Sequence, residues 1–243
     1  MLDFTIRRFA HRGLHGNHKI APENSLEAFR RAVEHGYGME LDVQLTKDNR
    51  IVVFHDDTLD RVCGVSGMIR DYTYNQLQKF TLYDSKERIP LLVDVLRLVD
   101  GRTPLIIELK APKNIYQKKL CQKTAGILDQ YLGQYCIESF HPAILFWFRM
   151  NRPFVRRGQL CTDFYRTEAK GHRWQFALME TMMLNLITRP DFIAYDIRFM
   201  NAPFFRFWRK FITPVGWTVH NKEELARSKP VFDYYIMERV KSS

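Results

Sequence analysis

The sequence predicts an α/β fold, a (β/α)8 barrel with a small inserted subdomain after the strand that ends at His55. Short apolar, β-branched runs alternate along the chain with stretches of helical periodicity, which is typical of a parallel sheet with crossover helices. The chain has 243 residues, and one such barrel takes about 250 residues. Polar side chains follow several of the apolar runs, as they do at the mouth of a barrel.

Nine runs are predicted as strands, because each is short, apolar and rich in β-branched residues. In chain order they are Thr5–Ala10, Tyr37–Leu45, Arg50–His55, Pro104–Lys110, Tyr135–Phe140, Gly158–Cys161, Phe192–Asp196, Val215–Val219 and Phe232–Met237. A closed barrel of this type uses eight parallel strands. One of the nine therefore either lies outside the ring or is not a strand.

Seven segments between these strands have the 3.6-residue period of helices that bury one face. They are Ser25–Glu34, Leu91–Val99, Tyr116–Tyr131, Pro142–Met150, Arg173–Leu186, Ala202–Lys210 and Lys222–Ala226. The region 56–90 lacks this alternation, and its Gly64, Gly67 and Asp71 favour an insertion over one face of the barrel. We expect a single domain over residues 1–243.

The composition is that of a folded, basic protein. Hydrophobic residues make up 46% of the chain, and 37 Lys and Arg against 27 Asp and Glu give a net charge of +10. The hydrophobic fraction excludes a disordered or fibrous chain. The charge favours anionic partners, namely phosphate esters, nucleic acid or an acidic membrane face.

No segment of the sequence predicts a membrane span, a signal peptide or a disulfide framework. The longest apolar stretch, Phe176 to Ile187, has 12 residues, fewer than the roughly 20 that a spanning helix needs. The basic amino terminus is followed by no apolar run, so we expect a cytoplasmic protein. The four cysteines show no CxxC spacing, and we expect them to be buried thiols.

Three carboxylates follow or end predicted barrel strands. Glu40 and Asp42 lie two residues apart, so a strand projects both from one face, and Glu108 ends a second strand. Such a cluster either shares protons or binds a hard divalent cation through oxygen, and Mg²⁺, Ca²⁺ and Mn²⁺ are all compatible. An isolated Glu-x-Asp pair would more simply be a polar strand end paired with surface cations.

Two histidines and two cations accompany these carboxylates. His11 and His55 each follow an apolar strand, and we expect both at the barrel mouth, where one imidazole can donate a proton while the other accepts one. Arg12 offers a planar fork that matches phosphate oxygens, and Lys110 offers a point charge on the opposite wall. Together they predict an anionic substrate.

The motifs HRG, APENS, ELDVQLTKD, VVFHDDTLDR, IPLLVDVL and IELK occur in this order from residue 11 to residue 110. With thinner matches at Glu138-Ser139-Phe140 and at Gly216-Trp217-Thr218-Val219, the chain resembles the glycerophosphodiester phosphodiesterase family.

The resemblance implies a metal-dependent TIM-barrel hydrolase that releases glycerol 3-phosphate and an alcohol. It implies metal ligands at Glu40, Asp42 and Glu108, an acid and base pair at His11 and His55, and substrate contacts at Arg12, Lys110, Phe140 and Trp217. We expect Glu23 and Asn24 to act only as a helix cap beside the site.

The chain departs from the family pattern in its last third. It has Trp217-Thr218-Val219-His220 where WTVN is common, and Asp233 to Glu238 replaces a DGIxTDxP segment. We expect these departures to affect the alcohol end of the substrate and to leave the histidine pair intact. His15, His18, His35, His141, His172 and His220 are weaker candidates for the chemistry.

Aromatic and apolar residues are in excess at 140, 146–148, 174–187 and 204–211, and Arg and Lys interleave the last group. These rings suit either buried faces of outer helices or peripheral contact with an anionic membrane through loops on the catalytic face.

Three functions therefore remain open. The first is hydrolysis of deacylated headgroup phosphodiesters, and the second is a lysophospholipase D-like or glycolipid-directed activity at a membrane. The third, a non-catalytic phosphate- or nucleic-acid-binding module, gives no reason for three converging carboxylates, so we expect no nucleic-acid partner. The oligomeric state is open.

Overall fold

The computed structural model describes residues 4–111, 117–164, 166 and 179–238, and in it eight parallel strands close into a barrel. The ring order is β1–β2–β4–β5–β6–β7–β8–β9, and β1 pairs with both β9 and β2. The strands are β1 Arg8–Ala10, β2 Gly38–Leu45, β4 Leu105–Leu109, β5 Tyr135–Ser139, β6 Arg157–Cys161, β7 Phe192–Asp196, β8 Thr213–Val219 and β9 Tyr234–Met237. The predicted barrel is confirmed.

The ninth strand, β3 (Ile51–Val53), lies outside the ring and pairs antiparallel with the end of β2. It corresponds to the predicted strand Arg50–His55, and the structure shows that this is the strand of the nine that lies outside the ring. His55 therefore follows an antiparallel strand, not a parallel strand of the barrel. Because β3 runs back along β2, it returns the chain toward Asp42, where the Phe54 N–H donates to the Asp42 carbonyl at 2.9 Å.

Helices connect the strands on the outside of the barrel. The described helices are Leu26–Glu34, Asp60–Cys63, Tyr74–Leu77, Leu92–Val99, Gln117–Leu128, Pro142–Asn151, Asn185–Thr188, Pro203–Trp208 and Lys222–Ser228, with 3-10 turns at Ile69–Asp71 and Ile197–Phe199. Most of the predicted helix Arg173–Leu186 lies outside the described residues. No helix in the described ranges is long and apolar enough to cross a membrane.

Local chemistry explains where these helices begin. Ser25 caps the first helix, since its hydroxyl accepts from the Ala28 N–H, and the buried face carries Ala28, Phe29 and Ala32. Pro142 opens a later helix, where its missing N–H costs no hydrogen bond.

The barrel interior is an apolar layer below a polar mouth. Phe9, Ile106 and Phe192 belong to one buried cluster inside the ring. Two residues further along β4, on the same inward face, stands Glu108. The strand period of two therefore places carboxylates directly above the apolar layer.

The segment from Val52 to Leu91 has a small apolar core of its own. Its members are Val52, Phe54, Leu59, Val62, Ile69, Leu77, Leu82, Ile89 and Leu91. The short helices of this segment pack on that core, beside the end of β2 that carries the polar residues of the mouth.

Candidate active site

Three buried carboxylates meet at the barrel mouth. Oxygen atoms of Glu40, Asp42 and Glu108 all lie within 4.8 Å of one another. Asp42 and Glu108 are direct neighbours across the β2–β4 pairing, and Glu40 precedes Asp42 by one strand period. The three side chains therefore converge in the structure, as the strand pattern predicted.

Cationic and amide groups surround this cluster on two sides. The Lys110 Nζ is 3.5 Å from the Asp42 Oδ1 and 3.3 Å from the Glu108 Oε1. On the other side the Arg12 backbone N–H donates to Glu40 at 2.9 Å, and the Asn24 amide donates to Asp42 at 2.8 Å. The carboxylates are thus held by three groups, and Arg12 also places its guanidinium Nε 3.6 Å from Asp42.

The carboxylates do not share one protonation behaviour. Burial alone would raise the pKa of Asp42, but the charges of Lys110, His55 and Arg12 lower it below the usual range. Burial and neighbouring carboxylates raise the pKa of Glu40, and burial raises that of Glu108 against the opposing charge of Lys110. Like charges held this close favour either proton uptake or a bound cation.

The donor set fits a hard divalent cation. All candidate ligand atoms are carboxylate oxygens, which Mg²⁺, Ca²⁺ and Mn²⁺ accept. The buried Asp42 Oδ1 accepts no hydrogen bond from any residue that the structure describes. An oxygen in this state has the lone pairs that a cation requires.

Glu138 is a fourth buried carboxylate, and we did not include it among the site residues predicted from the sequence. It lies beside Glu108 across the β4–β5 pairing, and its Oε2 has no hydrogen-bond partner in the described structure. Burial and the charges of Glu108 and Asp42 raise its pKa well above the usual value. The signal was available, because Glu138 ends the apolar run Tyr-Cys-Ile just as Glu108 ends Leu-Ile-Ile.

His11 follows β1 and stands over the acid cluster. Its Nε2 is 4.0 Å from the Glu40 Oε2, and its Nδ1 is 3.8 Å from the Glu238 Oε2. Burial lowers the pKa of His11 to about 4, although Glu238 acts in the opposite direction. The imidazole is therefore neutral at neutral pH, the form that accepts a proton.

His55 reaches the same mouth from the antiparallel β3 rather than from a barrel strand. Its Nδ1 lies 2.6 Å from the Asp56 Oδ1, which leaves the Nε2 for other contacts. The Gln44 amide donates to the carbonyls of Phe54 at 2.9 Å and Asp56 at 2.7 Å. Gln44 therefore holds the backbone on both sides of His55.

Arg61 and Glu23 link the two histidine-bearing segments. Arg61 donates to Asp56 through Nε at 2.7 Å and to Glu23 through Nη2 at 2.7 Å, and Glu23 also accepts from Arg12 at 2.7 Å. Burial would raise the pKa of Glu23, but Arg61 and Arg12 lower it to about 2. The chain of contacts runs from His55 to Arg12 without interruption.

The expectation that Glu23 and Asn24 serve only as a helix cap is wrong. Ser25 is the cap, while Glu23 anchors both arginines and Asn24 binds Asp42. Neither Arg61 nor these two roles could be derived from the sequence, because Glu23 and Arg61 are 38 positions apart.

Phe140 and Trp217 form an aromatic wall at the mouth. Their ring centroids are 5.8 Å apart in an edge-to-face arrangement, and Phe164 also meets Phe140 edge to face, with the ring centroids 6.2 Å apart. The Trp217 Nε1 is buried and donates to no described residue. Their predicted substrate contact stays a prediction.

The two departures from the family pattern meet in the structure. The His220 Nε2 is 3.4 Å from the Glu238 Oε2, and the other Glu238 oxygen lies 3.7 Å from the His15 Nε2. Because Glu238 also faces His11, the departures border the histidine pair, which the sequence did not lead us to expect.

Carboxylates and histidines gathered at the mouth of a (β/α)8 barrel define an enzyme of the barrel class, whose sites are built from strand ends. Within this class, the model of the glycerophosphoryl diester phosphodiesterase family matches residues 11–231. The chain belongs to this family, which confirms the resemblance found in the motifs.

Individual relatives agree with the family. A glycerophosphodiester phosphodiesterase of Bacillus altitudinis is 35% identical over 165 residues, covering 64% of this chain and 66% of that protein. A lysophospholipase D of Homo sapiens is 35% identical over 132 residues, covering 49% of this chain and 41% of that protein. The alignments thus span less than two thirds of either relative.

Solved structures support the fold. An Oleispira antarctica phosphodiesterase, in complex with the product sn-glycerol-3-phosphate, superposes with a TM-score of 0.77 at 20% identity, covering 96% of this chain and 92% of that one. At this identity the likeness establishes the barrel and its connectivity.

Proposed function

We propose that the protein hydrolyses glycerophosphodiesters to glycerol 3-phosphate and an alcohol, with a divalent cation as cofactor. The observation that carries the proposal is the buried cluster of Glu40, Asp42 and Glu108 between two histidines, in a chain of this family. The named activity of the Bacillus altitudinis relative and the product bound to the Oleispira antarctica phosphodiesterase support the same substrate class.

Glu40, Asp42 and Glu108 would hold the cation. When bound, a divalent cation supplies Lewis acidity toward a phosphate oxygen and offsets the negative charge of the three carboxylates. Asn24, Lys110 and the Arg12 backbone orient the carboxylates through the contacts described above. The cluster is thereby preorganised before substrate arrives.

Arg12 and Lys110 make the mouth attractive to a phosphodiester. Burial alone would lower the pKa of Lys110, but Glu108 and Asp42 raise it to about 12, so the ammonium stays charged. The Arg12 guanidinium is fixed by Glu23 through Nη1, and its Nε lies 3.6 Å from the Asp42 Oδ2. Both cations can offset charge that develops on a phosphate during bond cleavage.

The histidines move the protons. One imidazole protonates the leaving alkoxide, and the other accepts a proton from the nucleophile, either water or the neighbouring hydroxyl of the glycerol. Asp56 holds the His55 Nδ1, so His55 exchanges its proton through Nε2. His11 faces the cluster with Nε2 and faces Glu238 with Nδ1.

A second candidate function is lysophospholipase D activity. The human lysophospholipase D relative favours it, and Phe140 with Trp217 supplies an aromatic wall that the acyl chain on the glycerol of a lysophospholipid could contact. The two functions release the same headgroup alcohol and differ in the glycerol that keeps the phosphate, which carries an acyl chain in a lysophospholipid. Both use the same cation ligands and histidines.

The test is release of glycerol 3-phosphate from glycerophosphocholine and glycerophosphoethanolamine, after EDTA treatment and after Mg²⁺, Ca²⁺ or Mn²⁺ is restored. We expect cation-dependent turnover that is lost in His11→Ala and in Glu40→Ala. His35→Ala is the matched control, because His35 is exposed at the end of the first helix.

Turnover of neither substrate by a folded, cation-loaded protein would refute the headgroup proposal. Lysophosphatidylcholine in micelles is then the next substrate, and release of choline or lysophosphatidic acid from it would support the second candidate. Turnover that EDTA leaves unchanged would refute the cation site.

A further inference from the structure

Large apolar side chains are exposed in the segments that precede four consecutive barrel strands. Leu132 precedes β5, Phe154 precedes β6, Ile187 precedes β7 and Phe211 precedes β8, and Leu132 and Phe154 are 101% and 97% exposed. Since β5 to β8 are neighbours in the ring, these segments lie side by side at the amino-terminal end of the barrel. The site described above is at the opposite end.

Specific contacts join these segments into one surface. The buried Arg157 guanidinium donates to the carbonyls of Pro153, Val155 and Thr188, which ties the Phe154 loop to the helix Asn185–Thr188. The Trp208 indole donates to the Thr181 carbonyl at 2.9 Å, which ties the helix Pro203–Trp208 to the segment just before the helix Asn185–Thr188. The exposed residues therefore project from a fixed framework.

The charge of this region is strongly positive. Residues 142–157 contain four arginines and no acidic residue. Asp191, just before β7, is paired with Arg156 at 2.8 Å, and Asp129 is paired with Arg152 at 2.6 Å. Arg189, Arg206 and Lys210 are exposed, and none of the three forms an ion pair with a residue in the described ranges.

We name this region the basal surface. It comprises Met150, Phe154, Leu186, Ile187, Phe207 and Phe211 with the cations Arg189, Arg206 and Lys210.

We propose that the basal surface binds the anionic face of a lipid bilayer. Exposed aromatic and aliphatic side chains beside unpaired cations match the chemistry of an acidic headgroup boundary, where rings enter the interface and cations contact lipid phosphates. On the helix Pro203–Trp208 the division is clear, because Phe205 and Trp208 are buried while Phe207 is exposed. The helix thus serves the core on one face and leaves the other for a partner.

This placement differs from the expectation that the aromatic excess lies on loops of the catalytic face. A bilayer at the basal surface would leave the barrel mouth directed toward water. If the proposed function holds, this orientation favours water-soluble glycerophosphodiesters as substrates over lysolipids that remain in the bilayer. Membrane binding is measured without turnover, so its failure and a failure of the proposed activity are distinguishable.

The experiment is flotation of the full chain with vesicles of phosphatidylcholine alone and of phosphatidylcholine mixed with phosphatidylglycerol. We expect binding to the mixed vesicles that weakens with added salt. Arg206→Glu with Lys210→Glu should weaken the partition coefficient by more than about 25-fold, since each cation near an anionic leaflet contributes roughly fivefold. Phe207→Ser with Phe211→Ser should weaken it by at least about tenfold.

Matched control variants test which surface of the protein faces the bilayer. Lys79→Glu with Lys86→Glu makes the same charge change on the exposed surface of the insertion, and Ile20→Ser removes an apolar side chain that is 59% exposed in the loop after β1, at the mouth. Neither should weaken binding. Equal binding to neutral vesicles, or a greater loss in Ile20→Ser than in the Phe207 and Phe211 pair, would overturn the proposal.

Self-association would also overturn it. A dimer of the wild-type chain in light scattering that the Phe207 and Phe211 substitutions dissociate, without vesicle binding, would show that a second copy covers the surface instead.

Discussion

Replacement of Glu40 by Gln should change the stability of the protein in opposite directions with and without a cation. Glu40 is buried, and burial together with the charges of Asp42, Glu138 and Glu108 disfavours its ionised form. Gln keeps the shape and the oxygen that accepts from the Arg12 N–H. In EDTA, Glu40→Gln should therefore unfold at the same temperature as the wild type or higher.

With a cation the order should reverse. A ligand at 100 times its Kd stabilises the folded state by about 2.7 kcal/mol. In a protein of this size that free energy raises the Tm by about 5–10 °C. If the loss of one carboxylate weakens binding about a hundredfold, the gain at the same concentration falls to about 0.4 kcal/mol, or about 1–2 °C.

Thermal unfolding in EDTA and in Mg²⁺, Ca²⁺ or Mn²⁺ measures both effects. Glu138→Gln is the matched control, because Glu138 is equally buried, is also raised in pKa and lies outside the three-carboxylate cluster. It should retain the cation-dependent shift. A full shift in Glu40→Gln, or its loss in both variants, would refute the assignment of Glu40, Asp42 and Glu108 as the ligand set.

Three further outcomes follow from the site. His11→Ala and His55→Ala should each lower kcat by about 10²–10⁴-fold while the unfolding temperature changes little, as expected for lost proton transfer. Glu238→Gln should lower kcat about tenfold at nearly constant KM, because Glu238 orients His11. Glu238→Asp should restore part of the lost kcat. An equal loss of kcat in His220→Asn would contradict the role of Glu238. The pKa of Glu23 is about 2 in the folded chain against 4.5 for a free side chain, so its contribution is present above pH 4.5 and disappears as the pH falls toward 2. Glu23→Gln should therefore lower the free energy of unfolding, measured in urea, by about 3 kcal/mol at pH 7, and it should reduce the loss of stability at acid pH. A variant that loses stability at acid pH as steeply as the wild type would refute this contribution of Glu23.

The barrel could be predicted because its strands and its helices differ in the sequence pattern of their buried residues. Strands such as Leu105–Leu109 are apolar on both faces except at the mouth, while the helix Leu92–Val99 buries residues at helical spacing. The antiparallel direction of β3 could also have been predicted from the sequence. Residues 46–50 separate it from β2, and a parallel crossover needs about a dozen or more residues.

The site could be predicted where its residues share a strand or end one. Glu40, Asp42 and Glu108 follow from the strand period, whereas Arg61 comes from a short helix of the insertion and meets Glu23 through a contact that no local pattern encodes. The contact between Glu238 and His11 depends on the pairing of β9 with β1, which closes the ring from its two ends. Closure is a property of the whole barrel and leaves no mark on either segment alone.

The strand β2 determines much of the site geometry. It carries Glu40 and Asp42, and Gln44 on the same strand holds the backbone around His55. Two of the three carboxylates and one histidine are therefore positioned by the same strand. His11 arrives from β1, and its distance from them is therefore set by the β1–β2 pairing. Phe9 pairs with Gly38 across these two strands, and a Cβ at Gly38 would lie 2.6 Å from the Phe9 ring. A side chain at position 38 would therefore displace Phe9, which lies two residues before His11.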